Sequence, residues 1–207
     1  MKQIYTEQWR LFKQSYLKSF TGLLILFIVT GIGVYIAMLN NETAVIYFMD
    51  QVEEMFREKG LLGRDLTPAE AAVMLLQNNA AACIALVLTG FITIFLPTVV
   101  IIMLNSAIMG VLFAFIKLNG QAVLPTLLAG ILPHGIFEIP AIILSGSLAF
   151  TISTGIYKKI NDPHFPFKKC LAGTGKTFLF VCIPLLIIAA LVEAMITPVL
   201  LKMIVTA

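Results

Sequence analysis

Leu132-Pro133-His134-Gly135-Ile136-Phe137-Glu138-Ile139-Pro140 interrupts an apolar run that extends from Val123 to Tyr157. A histidine and a carboxylate stand four residues apart in it, with two prolines and a glycine in the same nine residues. An ionisable group at bilayer depth costs about 3 kcal/mol or more, and such groups face a bundle interior or a wet cavity. Proline removes a backbone donor and disrupts the helical ladder, and freed polar groups are tolerated in lipid only where protein or water satisfies them. The run is also too long for one crossing. It therefore reads as a re-entrant or broken half-helix, Val123 to Leu132, followed by a full span, Ile136 to Tyr157. Pro133, Gly135 and Pro140 mark the break.

The rest of the chain has the same character. Of its 207 residues 59% are hydrophobic and 12% charged, and the mean hydropathy is +0.98. Soluble domains are about 45–50% apolar and about 25% charged. Four further apolar blocks, each within the range of about 17–25 residues that suits a spanning helix, run from Phe20 to Leu39, Ala80 to Leu96, Thr98 to Ile116 and Phe178 to Leu201. The expected fold is all-α: a polytopic transmembrane bundle of about five full spans plus the half-helix. Its organisation is an amphipathic cytoplasmic segment, 1–19, and a single bundle domain, 20–207. That domain carries an extracytoplasmic amphipathic insert, 40–79, and a cytoplasmic loop, 158–176.

Charge supplies direction. Lys2, Arg10, Lys13 and Lys18 precede the first span, and Lys158, Lys159, Lys168, Lys169 and Lys176 follow Tyr157. Between the first two spans acidic residues outnumber basic ones, among them Glu42, Asp50, Glu53, Glu54 and Glu58. Positive charge marks the cytoplasmic side, so the N-terminus and the 158–176 loop lie inside and 40–79 outside. The net charge of +3 sits at the ends of apolar blocks and does not point to nucleic acid. Trp9, Phe12, Tyr16 and Phe20 repeat at helical spacing, as an interfacial helix or as an extension of the first span. In the outer segment Val45, Phe48, Met49, Val52, Met55 and Phe56 form an apolar stripe beside Glu53 and Glu54, laid on the bundle or offered to a partner. Thr67-Pro68-Ala69-Glu70 has the form of a capping box with proline at the first helical position.

His134 and Glu138 share a helix face at i, i+4. They serve either as a structural polar pair or as an ion- or substrate-handling one. Asn105 in the third span and Glu193 in the last complete a candidate intramembrane polar core with them. Gly146, Ala149, Ser153 and Gly155 permit close helix approach, within the chain or in a homo-oligomer. Gly173-Thr174-Gly175-Lys176-Thr177 imitates the end of a phosphate-binding loop, but Cys170 occupies the place of its first glycine and no strand precedes it. Cys83, Cys170 and Cys182 have neither disulfide nor zinc spacing. No catalytic motif, metal set or cofactor signature emerges, and no enzyme is expected.

Leu132-Pro133-His134-Gly135 with Glu138, Pro140-Ala141 and Gly146 resembles the signature of the stage II sporulation protein M family. Asn105 with Gly110, and Leu191-Val192-Glu193-Ala194 with Thr197-Pro198, resemble that family's neighbouring spans in the right order. The resemblance implies a multi-pass protein of the bacterial cytoplasmic membrane. It further implies a non-enzymatic anchor that recruits extracytoplasmic peptidoglycan-remodelling partners, as in engulfment by spore formers. The alternative is a transporter, channel or permease-like subunit built on the broken helix.

Overall fold

The computed structural model describes residues 2–61 and 65–205; the ends of the segments 1–19 and 20–207, and positions 62–64 of the 40–79 insert, lie outside them. The described residues form six helices and no strand: α1, Gln3–Met38; α2, Glu42–Glu58; α3, Pro68–Thr89; α4, Leu96–Leu118; α5, Val123–Asn161; and α6, Phe167–Met203. All but α2 are long and apolar enough to cross a membrane. At 1.5 Å per residue α1, α5 and α6 run for about 54, 58 and 56 Å, well beyond a hydrocarbon core of about 30 Å.

Those lengths correct two expectations and decide between the two readings of the N-terminal stretch. The half-helix is absent as a separate element, because residues 123–161 are one continuous helix. The segment 158–176 is mostly helical, the non-helical connection being confined to 162–166. The N-terminal aromatic stretch is continuous with the first span. The hairpin between the second and third spans also turns earlier than Pro97, at Gly90–Phe95, and Pro97 falls in the first turn of α4, where its missing N–H costs nothing.

Proline does not break these helices, because a π-helical turn precedes three of them. The π-turns Leu127–Ile131, Phe178–Cys182 and Val192–Ile196 end just ahead of Pro133, Pro184 and Pro198. In each, the residue before the proline donates its N–H five positions back: Leu132 to Leu127, Ile183 to Phe178, Thr197 to Val192. The extra residue widens the turn where the ring would otherwise strike a carbonyl, and the missing donor falls where the ladder already changes pitch. Pro140 sits inside α5 without such a turn. A fourth π-turn, Phe12–Tyr16, has no proline beside it.

The chain divides into two compact units, each taking a length of all five long helices. The first contains residues 1–25, 79–102 and 137–187. Tyr16, Leu144, Leu148 and Cys182 form its apolar core. Its contacts are short because its side chains are small. A Cβ placed on Gly90 would lie 2.6 Å from the Ala149 carbonyl oxygen, and the Ser153 hydroxyl donates to the Gly90 carbonyl at 2.8 Å. The small-residue stripe of α5 is thus used inside the chain. The second unit contains residues 26–78, 103–136 and 188–207. There the Ser106 hydroxyl donates to the Phe27 carbonyl, and a Cβ on Gly110 would meet the Gly31 carbonyl at 2.6 Å.

Polarity is inverted relative to a soluble protein. Ser106, Ser145, Ser147, Thr98 and Thr177 are buried, whereas Ile25, Ile28, Val29, Ile32 and Ile36 of α1 are exposed along one face. Helices in lipid gain nothing from hiding apolar surface from one another, so small residues and interhelical hydrogen bonds take over the packing. This is a multi-pass membrane protein.

The α2 helix starts at Asn41, whose side chain accepts the Ala44 N–H at 3.1 Å, and ends at Gly60 with φ +72°. Leu61 then donates back to the Phe56 carbonyl at 2.9 Å, the wrap-around bond that a left-handed glycine allows. Val45 is fully buried against Val34, Tyr35, Met38, Val111, Ala114 and Phe115, with Met49 packed beside it. The capping box forms as read. Thr67 donates its backbone N–H to Glu70 at 2.8 Å, and Glu70 returns its own to the Thr67 hydroxyl at 3.3 Å.

Candidate functional site

Within the second unit, α6 brings Glu193 to His134 of α5. A nitrogen of the His134 ring lies within 4.8 Å of a Glu193 carboxylate oxygen. Glu138 follows one turn along α5, also within 4.8 Å of that ring, so the i, i+4 pairing read from the sequence is realised. All three side chains are half-buried. His134 Nδ1 lies 3.4 Å from the hydroxyl of buried Thr197, which also reaches the Val192 carbonyl at 3.4 Å. An imidazole beside the Glu193 carboxylate can share a proton with it.

The π-turns are what aim these groups. Glu193 lies inside the turn Val192–Ile196, and Thr197 is the residue that closes it. The turn Leu127–Ile131 ends three residues before His134, and Gly130 within it lets Leu201 of α6 approach to 3.2 Å of where a Cβ would stand. π-Turns recur at functional sites because one added residue rotates everything beyond it. Pro133 and Gly135 are therefore not the break they were predicted to be. They belong to the exit of a widened turn that carries His134 on the same face as Glu138.

Asn105 is half-buried midway along α4, immediately before the buried Ser106 that ties α4 to α1. The contribution missed in the sequence is Thr197, whose Thr-Pro setting was read only as a marker of the span. A hydroxyl one residue before an intramembrane proline was the available signal. A second buried polar group, also unforeseen, lies in the first unit. The Thr177 hydroxyl stands 2.6 Å from the Gln8 side-chain oxygen and 3.3 Å from the Tyr16 hydroxyl. Gly173, Gly175 and Thr177 are all helical, so the apparent phosphate loop is a turn of α6.

Of the proposed outer partner surface, Val45 is withdrawn from solvent, and Met49, Val52, Met55 and Phe56 are partly covered. Phe48, Glu53 and Glu54 are exposed. So is Tyr47, which packs edge-on against Phe48 at 5.6 Å.

A helical, multi-pass bundle with an ionisable cluster inside its spans is the class of protein these features define. The chain belongs to the stage II sporulation protein M family, whose model matches residues 21–198. An uncharacterized protein of Methanocaldococcus jannaschii is 36% identical over 127 residues, covering 60% of this chain and 69% of that relative. No solved structure matches the chain.

Proposed function

We propose that this chain is a non-enzymatic membrane component of a cell-envelope complex. It sits in the bacterial cytoplasmic membrane with its N-terminus inside and positions extracytoplasmic peptidoglycan-remodelling partners on its outer face. Family membership supports the class. The observation that carries the reading is the division of labour on α2. Its apolar stripe is spent on seating Val45 against α1 and α4 within the second unit, which fixes the helix in place. Tyr47, Asp50, Glu54 and Glu58, spaced i, i+3, i+7, i+11, then form an exposed acidic face around one aromatic side chain. An exposed tyrosine at the head of a row of carboxylates is suited to hold a basic patch on a partner.

A photo-crosslinking residue in place of Tyr47, in the native host, tests this. An adduct with a cell-envelope protein is expected, lost when Glu54 and Glu58 are changed to lysine in a chain that still inserts. Crosslinks to lipid alone, unaffected by the charge reversal, overturn the reading.

The cluster around His134 favours a second reading, a transporter or channel subunit in which these side chains pass a proton or cation. Proteoliposomes decide it. Proton or cation flux that disappears with Glu138→Gln or Glu193→Gln replaces the anchor with a conduit.

A further inference from the structure

The first unit holds a cavity of about 570 Å³ that neither reading uses. It opens among the N-terminal part of α1, the C-terminal end of α5, the 162–166 turn and the start of α6. Lys18, Lys158 and Lys169 line it, with the hydroxyl-bearing Ser15 and Thr154, and no lining residue is acidic. Three lysines in the wall of one hollow that has no acidic lining residue make it electropositive and favourable to an anion. The first turn of α6 reinforces the sign. Pro166 and Lys169 belong to the wall, and no side chain caps the helix there. Part of the wall is aromatic, with Phe95 and Phe150 at 4.7 Å between ring centroids. The Lys158 ammonium rests 5.7 Å from the centroid of the Phe165 ring, another lining residue.

Lysine is a point donor that binds phosphoryl oxygens without demanding bidentate geometry. The volume falls in the range of small-molecule sites. Lys18 lies two residues before the first apolar block and Lys158 directly follows the fourth, so the cavity sits at the depth of lipid headgroups. We infer that this cavity binds a phosphoryl group of net negative charge, not offset by a headgroup ammonium, with the three lysines on its oxygens and, when the donor is an anionic phospholipid, an acyl chain along Phe95 and Phe150.

The test uses the full chain in nanodiscs, following amine-reactive labelling of each lysine by mass spectrometry. Phosphatidylglycerol in place of phosphatidylcholine is expected to slow labelling of Lys18, Lys158 and Lys169 by about fivefold. Lys13, Lys168 and Lys176, which do not line the cavity, should change far less. A second arm adds inorganic phosphate to phosphatidylcholine discs. Protection of the same three lysines there assigns the group to a soluble phosphate, and protection by phosphatidylglycerol alone assigns it to lipid. Thr154→Glu, which places a carboxylate in the hollow, should abolish either protection while the unfolding temperature is kept. Equal protection of all six lysines, or none in both arms, overturns the inference.

Discussion

Individual residues in this molecule act through their smallness more than through their chemistry. Gly90 is the sharpest case. A methyl group there would stand 2.6 and 2.7 Å from the Ala149 backbone, and backbone cannot step aside as a flexible side chain can. Gly90→Ala is expected to lower stability by about 1–3 kcal/mol in thermal unfolding in detergent. Gly33→Ala, at a position with open space around it, should stay within about 0.5 kcal/mol. His134, Glu138 and Glu193 were legible in the sequence because charge in an apolar run is costly and therefore conspicuous. Thr197 was not, since a hydroxyl can satisfy itself on its own helix and costs little to bury. The proline-rich stretch announced a disturbed backbone correctly but not its form. Composition reveals the missing donor of Pro133, whereas the π-turn that accommodates it depends on where the neighbouring helix wants the following side chains.

The five spans were found in the right order, and the ends of their helices were misplaced wherever polarity and helicity part company. Hydropathy marks the stretch inside lipid; hydrogen bonding continues beyond it. Thus α6 begins at Phe167, through a lysine-bearing stretch read as loop, because Gln8 and Tyr16 of α1 meet Thr177 there. The reverse holds for α3, whose start was visible because a capping box is a local device written in four consecutive residues. Thr67→Ala removes the acceptor for the Glu70 N–H and the hydroxyl that bonds its carboxylate. A loss of about 1 kcal/mol is expected, with faster amide exchange confined to the first turn of α3. Exchange that accelerates along the whole helix would show that the box holds more than its own end.

For the molecule as a whole, crossing by all five long apolar helices would place the two termini on opposite sides of the membrane. Reporter fusions at residues 1 and 207 are therefore expected to report opposite compartments, and a cysteine introduced at Pro163 should label from the same side as the N-terminus. Matching compartments for the two fusions would mean that one long helix fails to cross. The number of candidate spans was within reach of the sequence, because hydropathy is a sum over each segment. The partition into two packed units was not, since it depends on which glycine meets which backbone. The inverted polarity described above has one more consequence. With isoleucine and valine turned outward and serine, threonine and glycine forming the seams, the lipid-facing rim places almost no demand on side-chain shape. Random mutagenesis should find that aliphatic exchanges along Ile25, Val29, Ile32 and Ile36 pass unnoticed, while a single added methyl at a seam silences the protein.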